Sequence, residues 1–105
     1  MGRKYGLSLE TMNDVLNKAS GRSGATERLL PAMLEGSESA TFALGLMLKD
    51  VGLATQLGLN CGAPMFLHNV VRGLLQAGVY QRGAEANLDE MNAVIEAMAD
   101  TRFRD

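Results

Sequence analysis

The stretch Phe42–Val71 constrains this chain most, because Lys49 and Asp50 are its only full formal charges. A segment so poor in charge belongs in an interior or against a partner. A charged pair inside it is costly unless it faces water, a ligand or another chain. The stretch is long enough for a membrane span. However, Lys49–Asp50, Pro64 and several glycines interrupt the run of about 20 apolar residues that a spanning helix wants. A soluble, helical chain is expected.

Apolar residues recur at three-to-four spacing nearly throughout. Ser8 is placed to cap a first helix carrying Leu9, Met12, Val15, Leu16 and Ala19, which Gly21 ends. After the turn Ser20–Gly24, with Ser23 as a candidate cap, a short helix over about 25–30 is expected to stop at Pro31. A long central helix should run from Thr41 or Phe42 to Leu57 with Gly58 at its C-cap. The next should run from Pro64 to Ala77 and end at Gly78, leaving 78–86 as a connector. Asn87–Glu90 reads as a capping box for a last helix bearing Leu88, Met91, Val94, Ile95 and Met98. Arg102 and Arg104 follow, where the helix dipole favours positive charge. No stretch alternates with period two between hairpin turns. The expected fold is all-α, a compact bundle of about five helices forming a single domain over 1–105.

Composition narrows the function. The chain is 47% hydrophobic but only 5% aromatic with no Trp, so Leu, Val, Ala and seven Met must fill the core. A net charge of −2 supplies no basic face for phosphate neutralisation, and nucleic acid is not an expected partner. The single cysteine, Cys61, excludes an internal disulfide and points to a reducing cytoplasm. MGRKYGLS has neither an apolar run for a signal peptide nor the Ser or Thr that myristoylation wants at position 6. No membrane partner is expected. His68 has no ligand-type neighbour at metal spacing, so no metal site is expected.

Phe42, Gly45, Lys49, Gly52 and Gln56 fall on one stripe of the central helix. Glycine costs a helix interior about 1 kcal/mol relative to alanine, so two on one face need a reason. One reason is close approach of a backbone or ligand beside Lys49. The other is a tight helix crossing, with Lys49 reaching to solvent. Asp50 lies about 100° further round the axis, which argues against a simple Lys49–Asp50 ion pair.

The segment KDVGLATQ at 49–56 resembles the Lys-Asp-Leu-Gly-x-Ala-x-Asp motif of the β-hydroxyacid dehydrogenases, the family of 3-hydroxyisobutyrate dehydrogenase and tartronate semialdehyde reductase. Upstream, VLNKASGRSGATERLLPAMLEG resembles the family's Asn-x-Ser-Ser-Gly-Arg-Ser/Cys segment and the Pro-x-Met stretch after it. Downstream, CGAPMFLHNVVRGLLQAGVYQRG resembles its small-x-Pro helix and Gly-Tyr turn. The likeness runs from about Leu7 to Ala97. Val51 replaces Leu, Gln56 replaces the terminal Asp, and Gly24 replaces an aromatic or Ala.

The resemblance implies a C-terminal helical domain, like that of 6-phosphogluconate dehydrogenase, closing a cleft against an N-terminal Rossmann domain that binds NAD or NADP. It implies that Lys49 contacts cofactor or substrate carboxylate, that Phe42 lines the cofactor cleft, and that Asp50 stands at the substrate wall. The chain contains no Gly-x-Gly-x-x-Gly turn, no Ser-Gly-Gly substrate loop and no catalytic-lysine segment of the family; only RKYG at 3–6 suggests the end of the interdomain helix. It therefore reads as part of a larger enzyme. It is expected to hold no catalytic residue, to bind no cofactor alone, and to self-associate, as a homodimer, through surface left bare. The rival reading is a small dimerisation or DNA-binding module. The first two helices mimic a helix-turn-helix, with Lys18, Arg22 and Arg28 near the turn.

Overall fold

The computed structural model describes residues 1–104, and the fold is all-α, with no strand among them. Five α-helices occur in the described chain: α1 (Leu9–Lys18), α2 (Leu30–Glu35), α3 (Leu44–Cys61), α4 (Phe66–Arg82) and α5 (Met91–Ala99). The residues gather into two compact units. One is Met1–Ala40 with the chain from Ile95 onward, and the other is Thr41–Val94.

In the first unit α1 begins as its sequence dictates. Ser8 Oγ accepts the Thr11 N–H at 3.1 Å, satisfying a donor the helix itself cannot. Ser23 caps the next helical stretch. Its Oγ accepts from Thr26 N–H (3.3 Å) while Thr26 Oγ1 accepts from Ser23 N–H (2.9 Å). The helix does not stop at Pro31. Residues Ala25–Leu29 form a π-helical turn, in which Leu30 N–H reaches back to Ala25 O. The proline then falls in the first turn of α2, where its missing N–H is least costly. The two ends of the chain also meet in this unit. Arg3 Nε donates to Arg102 O at 3.0 Å, and Lys4 Nζ donates to Ala99 O at 3.0 Å. Lys4 thus supplies a cation at the C-terminus of α5, in addition to the arginines that the sequence places in the tail.

In the second unit α3 and α4 are both longer than the glycines suggest. Gly62, with φ +74°, is the true C-cap of α3, because that left-handed conformation favours glycine. Gly58 lies inside the helix and is buried where a β-carbon would collide with Met65. Gly78 likewise lies inside α4, packed by Met91, and the helix continues to Arg82 before Gly83. Both interior glycines mark close packing, which a sequence shows in the same letter as a stop signal. Asn87–Glu90 is not a capping box. Asn87 makes no side-chain cap bond, Leu88–Glu90 form a 3₁₀ turn, and the Glu90 carboxylate is held by Arg82. Leu44, Leu75 and Val94 are the buried core of this unit.

Candidate functional site

The start of α3 is built by backbone rather than by a capping side chain. The chain 84–88 runs antiparallel beside 42–45, with an isolated bridge between Ala43 and Asn87. Leu88 N–H donates to Phe42 O (2.7 Å), Leu44 N–H to Ala86 O (2.8 Å) and Gly45 N–H to Ala84 O (2.9 Å). The next two donors, Leu46 and Met47 N–H, both turn back to Ala43 O. The first N–H groups of α3 are therefore already satisfied, so the helix end offers no donors to a phosphate. Any anion recognised on this helix must be met by side chains.

Lys49 is the one cation on α3. It stands on the outer side of α3 with 61% of its side chain exposed. Contrary to the wheel argument, it is paired with its neighbour, Nζ lying 3.3 Å from Asp50 Oδ1. The lysine's four methylenes span the angular offset, and both groups lie in water, where such a pair holds weakly. Phe42, just before α3, presents an exposed ring while its carbonyl is fixed by Leu88. Gln56 spends its amide on Asn60 Oδ1 at 2.9 Å.

The two glycines of the stripe have different causes. A β-carbon on Gly45 would lie 3.0 Å from Ala84 Cβ and 3.1 Å from Ala84 O, so this glycine serves the close backbone contact. Around Gly52 nothing lies within 4 Å of where a β-carbon would stand. The space beside Lys49 is open. Sequence reasoning also missed three leucines on this side. Leu46, Leu53 and Leu57 are all exposed, and the first two flank Lys49 at three and four residues. Their spacing is visible in the sequence, but hydropathy does not say whether a helical leucine is packed or bare. The outer face of α3 is thus a line of exposed leucines with the Lys49–Asp50 pair beside it.

The other candidates bring together less chemistry. His68 lies with Val51, Leu67 and Val71 along a shallow apolar cleft. Cys61 is exposed and free, its Sγ directed to Gly58 O at 3.6 Å. No group of three His, Cys, Asp or Glu side chains able to hold a metal occurs among the described residues. Lys18 pairs with Asp14 (2.8 Å) and Arg22 with Glu27 (3.2 Å), so two of the three cations near the helix-turn-helix mimic are engaged by acids of this chain.

Comparison with known proteins decides among these readings. A family described as the NAD-binding domain of NADP-dependent 3-hydroxyisobutyrate dehydrogenase matches residues 1–98. The chain belongs to this family. It is a domain of the β-hydroxyacid dehydrogenase family, as the residues around Lys49 suggested. It is similar to 2-(hydroxymethyl)glutarate dehydrogenase of Eubacterium barkeri, with 32% identity over 96 residues. That match covers 90% of this chain and 31% of the relative, so the dehydrogenase-family domain spans about a third of the relative's length. No helix of the described domain is long and apolar enough to cross a membrane.

Proposed function

We propose that residues 1–105 act as one functional domain of an NAD(P)-dependent 3-hydroxyacid dehydrogenase, closing a cleft against a separate dinucleotide-binding domain. The observation that carries this reading is Lys49, an exposed ammonium group among exposed leucines, in a chain of this family. A nicotinamide dinucleotide and a hydroxy acid are both anionic and both need a cation that is not consumed within its own domain. Lys49 fits that need, because its ion pair among the described residues is a weak surface contact with Asp50. The ring of Phe42 fits the flat apolar part of a cofactor.

In this reading Phe42 and Lys49 meet the cofactor, while Lys49 and Asp50 border the substrate. The Lys49 ammonium pairs with a substrate carboxylate or cofactor phosphate and fixes its orientation. Asp50 holds the lysine side chain toward the cleft until the anion arrives. The exposed leucines exclude water once covered, which strengthens the Lys49 contact. The cofactor, when bound, supplies the hydride chemistry. The name of the relative favours a hydroxy acid bearing a second carboxylate as substrate. Without a dinucleotide fold of its own, the chain alone turns nothing over. The exposed free thiol of Cys61 suits a cytoplasmic location.

The test is a chimera in which this chain replaces the matching third of the Eubacterium barkeri enzyme. Lys49→Met in that chimera should lower kcat/KM for the hydroxy acid about 100-fold, the scale of a lost charge-assisted contact in a closed site. An active chimera indifferent to the substitution would reject the site. The chain alone, mixed with NAD(P) and 3-hydroxy acids, should give no absorbance change near about 340 nm, the nicotinamide band.

A further inference from the structure

Helical backbone runs without a break from residue 24 to 35, and Pro31 lies inside it. In a plain α-helix Pro31 would leave the carbonyl four residues back, that of Glu27, without a donor and crowded by the ring. The chain widens instead. Leu30 N–H reaches Ala25 O, five residues back, where an α-helix would send it to Thr26 O. The next amide that a wide turn could bring to Thr26 O belongs to Pro31, which carries no N–H. Thr26 O is not left bare, because Asn17 Nδ2 on α1 donates to it at 3.0 Å. The same nitrogen stands 3.5 Å from Asn13 Oδ1, too far to be held there. Asn17 Oδ1 is buried and finds no partner among the described residues, a cost that an apolar residue would not carry. The donor half of the amide is therefore what its position uses.

We propose that Pro31 and Asn17 form a two-part latch on this turn: the proline forces the wide register, and the amide on α1 holds the carbonyl that the register releases. The other polar atoms of Thr26, a buried residue, are taken up within the turn. Its N–H donates to Ser23 Oγ, and its Oγ1 accepts from Ser23 N–H and donates to Ser23 O at 3.0 Å. Asn17 thus ties a filled local network to α1. A wide turn holds one residue more than an α turn, so closing it would rotate the helix beyond by about 100°. Leu30, Met33 and Leu34 are half-buried on α2, which packs against α1. The latch therefore sets which side of α2 meets α1. It involves neither Lys49 nor a cofactor and stands apart from the dehydrogenase reading.

NMR couplings across hydrogen bonds, measured on the whole isotope-labelled chain, identify the acceptor of each N–H and so test the latch directly. In the parent, Leu30 N–H should couple to the Ala25 carbonyl and the Asn17 side-chain amide to that of Thr26. In Pro31→Ala the turn should close, Leu30 N–H moving to the Thr26 carbonyl and the Asn17 amide losing its coupling. Denaturant unfolding supplies the second readout. Asn17→Ala should raise the unfolding constant about 10-fold in the parent, the scale of a buried carbonyl left without its donor. In the Pro31→Ala background, where Leu30 N–H takes that carbonyl, the same change should raise it less than about 3-fold. A parent without the Asn17–Thr26 coupling would overturn the proposal before any variant is made. A Pro31→Ala chain that keeps Leu30 on Ala25, or an equal cost of Asn17→Ala in both backgrounds, would overturn it too.

Discussion

Gly45 and Ala84 are joined so closely that their backbones share a hydrogen bond, Gly45 N–H to Ala84 O at 2.9 Å, with no room for a side chain between them. This contact fixes the chain before α3, and with it Phe42. Gly52, one stripe position beyond Lys49, faces open space instead. Alanine should therefore act oppositely at the two sites. Gly52→Ala should raise stability by about 0.5–1 kcal/mol, the gain in helix propensity. At Gly45 the same gain is opposed by a backbone oxygen 3.1 Å away, and Gly45→Ala should lower stability by about 1 kcal/mol. Urea unfolding of the two variants checks this; equal midpoint shifts would show that the Ala84 contact is not tight.

The two sequence caps should separate in the same way. Ser8 Oγ holds Thr11 N–H, so Ser8→Ala should cost about 1 kcal/mol. Asn87 has the extended backbone of a cap but no side-chain cap bond, so Asn87→Ala should cost less than about 0.5 kcal/mol. Thermal unfolding that ranked Asn87→Ala as the costlier change would contradict the cap assignment at the start of α5.

These differences show what could be read from the letters alone. Helix content followed from the three-to-four spacing, and Ser8 and Ser23 were recognisable caps because a capping hydroxyl acts on backbone three residues away. Gly58 and Gly78 look like helix ends in the sequence yet lie inside α3 and α4, because glycine serves two purposes. It ends helices when its backbone turns left-handed, as at Gly62, and it stays inside them when Met65 or Met91 needs the space. Only long-range contacts distinguish the two. Lys49 was legible as a charge in an apolar run. The leucines beside it were not, since exposure is set by what remains unpacked against α3 rather than by hydropathy.

Arg82 and Glu90 tie the end of α4 to the 3₁₀ turn that follows the antiparallel segment. Both Nε and Nη2 of the guanidinium reach Glu90 Oε2, at 2.6 and 2.5 Å. The side chains remain 43% and 39% exposed, so solvent screens the pair. A double-mutant cycle with Arg82→Ala and Glu90→Ala should give a coupling of about 0.5–1 kcal/mol, falling as salt is raised. A salt-independent or absent coupling would mean that the segment beside Phe42 is held by its backbone bonds alone.

Leu44 and Leu53 lie on opposite sides of α3, and truncating each measures a different surface. Leu44 is fully buried, so Leu44→Ala should cost about 3 kcal/mol through lost transfer energy and the cavity left behind. Leu53, 64% exposed beside Lys49, should tolerate alanine within about 0.5 kcal/mol in this chain. The contrast becomes informative in the chimera with the Eubacterium barkeri enzyme. If the outer face of α3 lines a closed cleft there, Leu53 is covered, and Leu53→Ala should cost about 1–2 kcal/mol more than it does in the isolated chain. Comparing the two backgrounds by denaturant unfolding isolates the cleft from the fold, because Leu44→Ala should cost the same in both. An unchanged Leu53→Ala cost in an active chimera would place the cleft on another face of the domain.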